Sequence, residues 1–179
     1  DSESIKNRFN VYLDNIQYDA KFIFEEVGYM LEPSEIGCAY GLEQLKKLET
    51  FTKRRDEVTQ RHFDFFGKFS HFFEVPKMNK NANSSWFAFP LIVKEKAPFT
   101  RTDLQIFLEE RNIQTRVIFT GNIIRQPAFK EIEKKISKDG YPVADRVMAR
   151  GFLLGNHHGL TEEMIEHVHE SVETFIKKY

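Results

Sequence analysis

The feature that most constrains this chain is a run of apolar residues at helical spacing that opens at Pro33. Ile36, Ala39, Tyr40, Leu42, Leu45, Leu48, Phe51, Val58, His62, Phe63 and Phe66 recur at intervals of about three and four, as one face of an amphipathic helix requires. Proline in a first turn followed by Ser34 and Glu35 is a good start signal, because the missing amide would be unpaired there anyway. The spacing predicts one long helix over 33–67, with Lys53, Arg54 and Arg55 on its solvated face. Upstream, residues 1–32 hold short extended pieces such as FNVYL and KFIF and a turn at Gly28-Tyr29, without the periodicity that closes a core.

Downstream the periodicity shortens. His71 to Val75 and SWFAFPLIV read as strands joined by a polar loop. Thr100 with Asp103 starts a helix that runs to about Arg111, and NIQTRVIF is the next strand. Residues 127–137 and 142–150 read as helices on either side of an SKDGYP turn, and Phe152 to Leu154 as a brief strand. Thr161 opens a last helix with Met164, Ile165, Val168, Val172, Phe175 and Ile176 inward. This order predicts an α+β fold: a small, mainly antiparallel sheet with helices packed on it, preceded by a long connecting helix.

Composition narrows the function more by exclusion than by assertion. With 26 basic against 27 acidic residues there is no basic face for nucleic acid. No apolar run approaches the ~20 residues needed to cross a bilayer, so no membrane partner is expected. The opening DSESIKNRF has no signal-peptide pattern, and the cytoplasm is the expected compartment. One cysteine, Cys38, rules out an internal disulfide and is expected to be a small buried hydrophobe. The 18 phenylalanines exceed what such a small core uses, which suggests surface waiting for a partner.

Chemistry-bearing motifs are scarce. His157-His158 cannot serve one metal through a shared face, and His167 and His169 stand two apart on a helix, so no metal site is expected. His157 and His158 read as a turn before a helix, with one of them open to a ligand. No nucleophile elbow, P-loop or GxGxxG occurs. The exception is FTGNIIRQPAF, residues 119–129: Arg125 follows an apolar strand and a Gly121-Asn122 turn and precedes Pro127. A guanidinium held there has the fork geometry for a carboxylate or phosphate, or for pairing with a nearby acid.

The segment VGYMLEPSEIGCAYGLEQLKKLE, residues 27–49, resembles the Gly-Tyr-Asn to Gly-Leu-x-Gln-Leu stretch of the DegT/DnrJ/EryC1/StrS family, fold-type-I enzymes that use pyridoxal phosphate on nucleotide-linked sugars. SSWFAFPLIV, TRVIFTGNIIRQPAF and YPVADRVMARGFLLGNHHGL resemble its CDP-4-keto-6-deoxyglucose 3-dehydrase-like branch. The resemblance implies a C-terminal portion: 1–32 a remnant of the large cofactor domain, 33–67 the connecting helix, and 68–179 the small domain. It implies no catalytic residue in this chain, because the cofactor-bearing lysine, or the histidine replacing it, belongs to the large domain. Pyridoxal or pyridoxamine phosphate is then expected in the full-length protein and not in this portion alone. The resemblance also implies a homodimer with shared active sites, and a reaction that is either transamination or C3 dehydration. The alternative is a non-catalytic binding or regulatory module derived from this domain.

By the same resemblance Arg125, Asn122, Gln126 and Arg116 are the substrate-side residues. A helix acid is the competing partner for Arg116. Tyr29 and Ser34 hold the places of cofactor contacts across the dimer, while Met30 stands where the family has an asparagine that reaches the cofactor phosphate. A thioether donates nothing to a phosphate. Iron–sulfur dehydrases carry cysteines before the segment matching NRF at 7–9; Ile5 stands there, so an iron–sulfur cluster is not supported.

Overall fold

The computed structural model describes residues 7, 11–13, 16–18, 29, 31–82, 84–129 and 131–179. Two compact units divide the chain, Asp1–Glu43 and Gln44–Tyr179.

In the first unit β1 (Val11–Leu13) pairs antiparallel with β2 (Ile16–Tyr18), Val11 opposite Tyr18. Helix α1 (Glu35–Leu45) begins there and buries none of its residues. The expected single helix over 33–67 is therefore two helices, α1 and α2 (Leu48–Gly67), separated at Lys46-Lys47. At the break Lys47 N donates to Gln44 O, a three-residue bond, and Lys47 caps α2 without a side-chain bond. Tertiary packing supplies most of a helix's stability, and full burial begins only with Val58. Ile36, Tyr40 and Leu42 are all more than 60% exposed, and Cys38 is exposed rather than buried, since it lies on a helix none of whose residues is buried.

The second unit is built on a four-stranded sheet, β3 (Phe73–Glu74), β4 (Ala88–Val93), β5 (Thr115–Val117) and β6 (Gly151–Gly155), in spatial order β3-β4-β6-β5. Every neighbouring pair is antiparallel. On β4, Phe89, Leu91 and Val93 turn to the core and alternate with half-buried neighbours, the period of two that a sheet covered on one face requires. Phe152 and Leu154 of β6 join them, and the core closes with Phe65 and Phe66 of α2, with Leu104 and Leu108 of α3 (Arg101–Glu109), and with Val172 and Phe175 of α5 (Glu162–Ile176). Met164, expected to face inward on α5, is half exposed, while Ile165 beside it is buried.

Helix starts follow the sequence signals. Thr100 Oγ1 accepts from Asp103 N while the Asp103 carboxylate accepts from Thr100 N, a reciprocal capping box. Thr161 caps α5 by accepting from Met164 N. Between β5 and α4 (Pro142–Arg150) the chain makes two 3-10 turns, Ile123–Arg125 and Pro127–Phe129. The helix expected over 127–137 is only this second turn; Ile132 and Ile136 have helical spacing but stand about half exposed, so no packing holds a helix there.

Candidate functional site

Arg125 is placed by a junction in which a glycine has no substitute. Gly121 has φ +62°, and a Cβ there would lie 2.4 Å from Met148 Cγ. The close approach sets the turn directly on α4, one helical turn from Asp145. Asp145 then gathers the turn: Asn122 Nδ2 donates to Oδ1 at 2.8 Å, Arg125 Nε to Oδ1 at 3.0 Å, and Arg125 Nη2 to Oδ2 at 2.8 Å. Asn122 is buried, and its Oδ1 accepts from Ile124 N. Gln126 Nε2 donates to Thr120 O at 2.9 Å and ties the turn to the end of β5. The Arg125 hydrogen bond, then that of Asn122, hold the Asp145 carboxyl down at about 2, and the same pair raises Arg125 further above its ordinary range. Because Asp145 takes the Nε–Nη2 edge, the Nη1 side of a guanidinium that is 60% exposed remains open.

Arg116 stands apart from that network. In the sheet register it lies opposite Leu153, which lies opposite Pro90, so the three form one row on the face turned away from the core. Arg116 and Leu153 belong to an open groove of about 480 Å³, whose walls also include Phe87, Gln114, Phe119 and His157. Its lining contains no carboxylate. The Arg116 side chain makes no ion pair or hydrogen bond among the described residues, so the helix acid considered as its partner is not there.

The far end of the groove is pinned by Asn156, fully buried, whose Nδ2 donates to Thr59 Oγ1 at 2.7 Å and to Trp86 O at 2.6 Å. This fixes the entry to His157 against α2 and against the approach to β4. His157 Nδ1 accepts from Gly159 N at 3.1 Å, which leaves the neutral ring its Nε2 proton as a donor. His158 takes no part; it stacks on Phe51 at 3.6 Å.

His62 and His169 serve packing. His62 Nδ1 and His169 Nε2 are 3.0 Å apart, and His169 stacks on Phe65 at 4.0 Å. Burial, aided by Arg61, lowers His62 to about 4; its Nε2 lies toward the Gly155 backbone outside hydrogen-bond geometry. Burial, then His62, Arg61 and Lys68, lower His169 to about 3. No group of three or more potential metal ligands occurs among the described residues.

Sequence reasoning named Arg125, Asn122, Gln126 and Arg116; the fold joins the first two through Asp145, ties Gln126 to the same turn, and puts Arg116 in the groove. Asp145 was missed because nothing in the spacing links it to a turn 20 residues earlier. In the first unit Tyr29 is almost fully exposed and Ser34 is exposed, its carbonyl accepting from Cys38 N. Met30 and Ile5 lie outside the described residues. The groove does not fit pyridoxal phosphate by itself, because its lining offers one guanidinium but no lysine and no carboxylate for the ring nitrogen. No chemical step is assigned to these residues through that cofactor.

A profile of the DegT/DnrJ/EryC1/StrS aminotransferase family matches residues 4–173. The chain belongs to this family. Among curated members, the dTDP-4-dehydro-2,6-dideoxy-D-glucose 3-dehydratase of Saccharopolyspora spinosa is 35% identical over 97% of this chain and 37% of its own length. The lipopolysaccharide biosynthesis protein RfbH of Salmonella typhimurium is 33% identical over 88% of this chain and 36% of its own. The chain thus spans a little over a third of the length of these relatives. Among solved structures, the E. coli GDP-4-keto-6-deoxy-D-mannose-3-dehydratase with bound hydrated PLP superposes with a TM-score of 0.75 at 29% identity, over 84% of this chain and 38% of that one. DesV of S. venezuelae, at 15% identity, shares the fold over 99% of this chain with a TM-score of 0.76.

Proposed function

We propose that this chain is the C-terminal portion of a pyridoxal phosphate-dependent enzyme that modifies a nucleotide-linked keto-deoxysugar, as an aminotransferase or a 3-dehydrase, in the biosynthesis of lipopolysaccharide or another surface polysaccharide. Family membership and two 3-dehydratases among the relatives support the reaction class. The observation that carries the reading to this chain is the carboxylate-free groove with an unpaired Arg116, flanked by a turn whose Arg125 keeps one edge open. Unpaired guanidinium groups on an apolar surface are suited to an anionic ligand, and a nucleotide sugar carries a diphosphate.

In this reading Arg116 and Arg125 bind the substrate, Asn122 and Gln126 hold the turn that aims Arg125, and Asp145 orients the guanidinium. Pyridoxal phosphate, when bound, supplies the electron sink from the rest of the protein. Tyr29 and Ser34, exposed in the first unit, contribute to the cofactor site of a second subunit, and the protein works as a cytoplasmic homodimer. Among the described residues no helix is long and apolar enough to cross a membrane.

The test is Arg125→Ala in the native protein. Nucleotide-sugar turnover is expected to fall roughly tenfold or more, with cofactor binding, read by its absorbance, unchanged. Equal losses in both, or none, would remove Arg125 from the substrate side. A native protein that takes up no pyridoxal phosphate would favour the non-catalytic module.

A further inference from the structure

Phe119 is the residue that folding explains least. It has φ +47°, a left-handed conformation that a bulky side chain adopts rarely and at a cost on the order of 1–2 kcal/mol. Its ring gains nothing in return from the core, since it is 76% exposed. Strain combined with an exposed aromatic surface points to selection for a ligand rather than for stability. The ring lines the groove, three residues from Arg116 and two before the Gly121 turn.

We propose that Phe119 is a stacking platform for the base of the nucleotide, with Arg116 holding the adjoining phosphate. This rests on the nucleotide-sugar reading above and names the half of the substrate that this groove takes. A base offers a flat π-face that stacks on phenylalanine whatever its identity, and the phosphate next to it meets the one unpaired cation in a lining without carboxylates. The groove has length for the remainder of the ligand. Strands β4 and β5 flank β6, and the register sets Ala88 opposite Gly155 but Val117 opposite Phe152. Ala88 and Val117 therefore stand at diagonal corners, on the order of 14 Å apart, with Phe87 just before the first and Phe119 just after the second. The hexose then runs from Arg116 toward Gln114 and the His157 Nε2 proton, polar donors suited to hydroxyl groups.

The experiment measures binding of a nucleoside diphosphate and of a hexose 1-phosphate to the native protein by calorimetry, for wild type, Phe119→Ala, Phe119→Tyr, Phe119→Gly and Arg116→Ala. Phe119→Ala is expected to weaken the nucleoside diphosphate roughly tenfold and to spare the hexose 1-phosphate, with Phe119→Tyr restoring affinity. Arg116→Ala is expected to weaken both. Phe119→Gly separates the platform from a structural role: glycine accepts the positive φ, so the melting temperature should hold or rise while binding is lost. A lower melting temperature for Phe119→Gly, equal effects of Phe119→Ala on both ligands, or no nucleoside diphosphate binding in wild type would overturn the proposal. Platform-dependent nucleoside diphosphate binding without turnover of any nucleotide sugar would support the platform and sink the enzymatic reading instead.

Discussion

Gly121 illustrates how a single missing methyl group decides where a guanidinium can reach. Its positive φ and the 2.4 Å approach of a built Cβ to Met148 both forbid a side chain. Gly121→Ala is expected to lower stability by about 1–3 kcal/mol and to loosen the Arg125–Asp145 pair, measured by denaturant titration together with ligand affinity. An alanine variant with an unchanged midpoint would mean that α4 yields easily and that the turn is not built on it. Asp145 sets the acid limit of the same junction. Its carboxyl sits at about 2 in the folded protein against an ordinary 3.8, so its contribution is complete above about 3.8 and is lost as the pH falls through 2. Nuclear magnetic resonance titration of the Asp145 carboxyl is expected to show a midpoint well below the ordinary 3.8, at about 2.

At the scale of elements, α2 and α5 meet at a pair of histidines that stay neutral because they are buried. His62 has a folded value of about 4 against an ordinary 6.5, so above 6.5 it costs nothing. As the pH falls from 6.5 toward 4 the unfolded chain takes up a proton that the folded one refuses, and stability is lost over that window. For His62, nearly fully buried, the loss is on the order of 3 kcal/mol, and His169 extends it to lower pH. His62→Phe is expected to make the stability profile between pH 6.5 and 4 less steep, with the remaining slope coming from His169, whatever its effect at neutral pH. A wild-type melting temperature that does not change across this window would disprove the buried neutral pair. Capping is a smaller contribution: Thr100→Ala removes the acceptor of the Asp103 amide and is expected to cost ~1 kcal/mol, read from the thermal midpoint.

For the whole molecule, every buried side chain among the described residues lies between Val58 and Phe175. A chain beginning at Gln44 is therefore expected to unfold cooperatively at nearly the melting temperature of the 179-residue chain, followed by circular dichroism. A broad or strongly lowered transition would show that the first unit contributes to the core. Much of this architecture was legible in advance where a local rule sufficed. The apolar run SWFAFPLIV marked strand β4, the Thr100–Asp103 and Thr161 caps marked two helix starts, and the order of motifs from residue 27 to 160 pointed to the family that the profile match establishes. Local rules failed where burial decides the outcome. Ile36 to Leu45 and Ile132 to Ile136 carry helical spacing as clear as that of α5, yet the first gives an exposed helix that stops at Lys46 and the second none, because periodicity says which face is apolar but not whether anything covers it. The site divides the same way. Residue type and a place behind a strand and a Gly-Asn turn marked Arg125 as suited to an anion, and the family resemblance added Arg116. Only the antiparallel register of β5 on β6 and the seat of Gly121 on α4 decided that one is tethered to Asp145 while the other stays unpaired, since those contacts join residues far apart in the chain through geometry that no sequence spacing encodes.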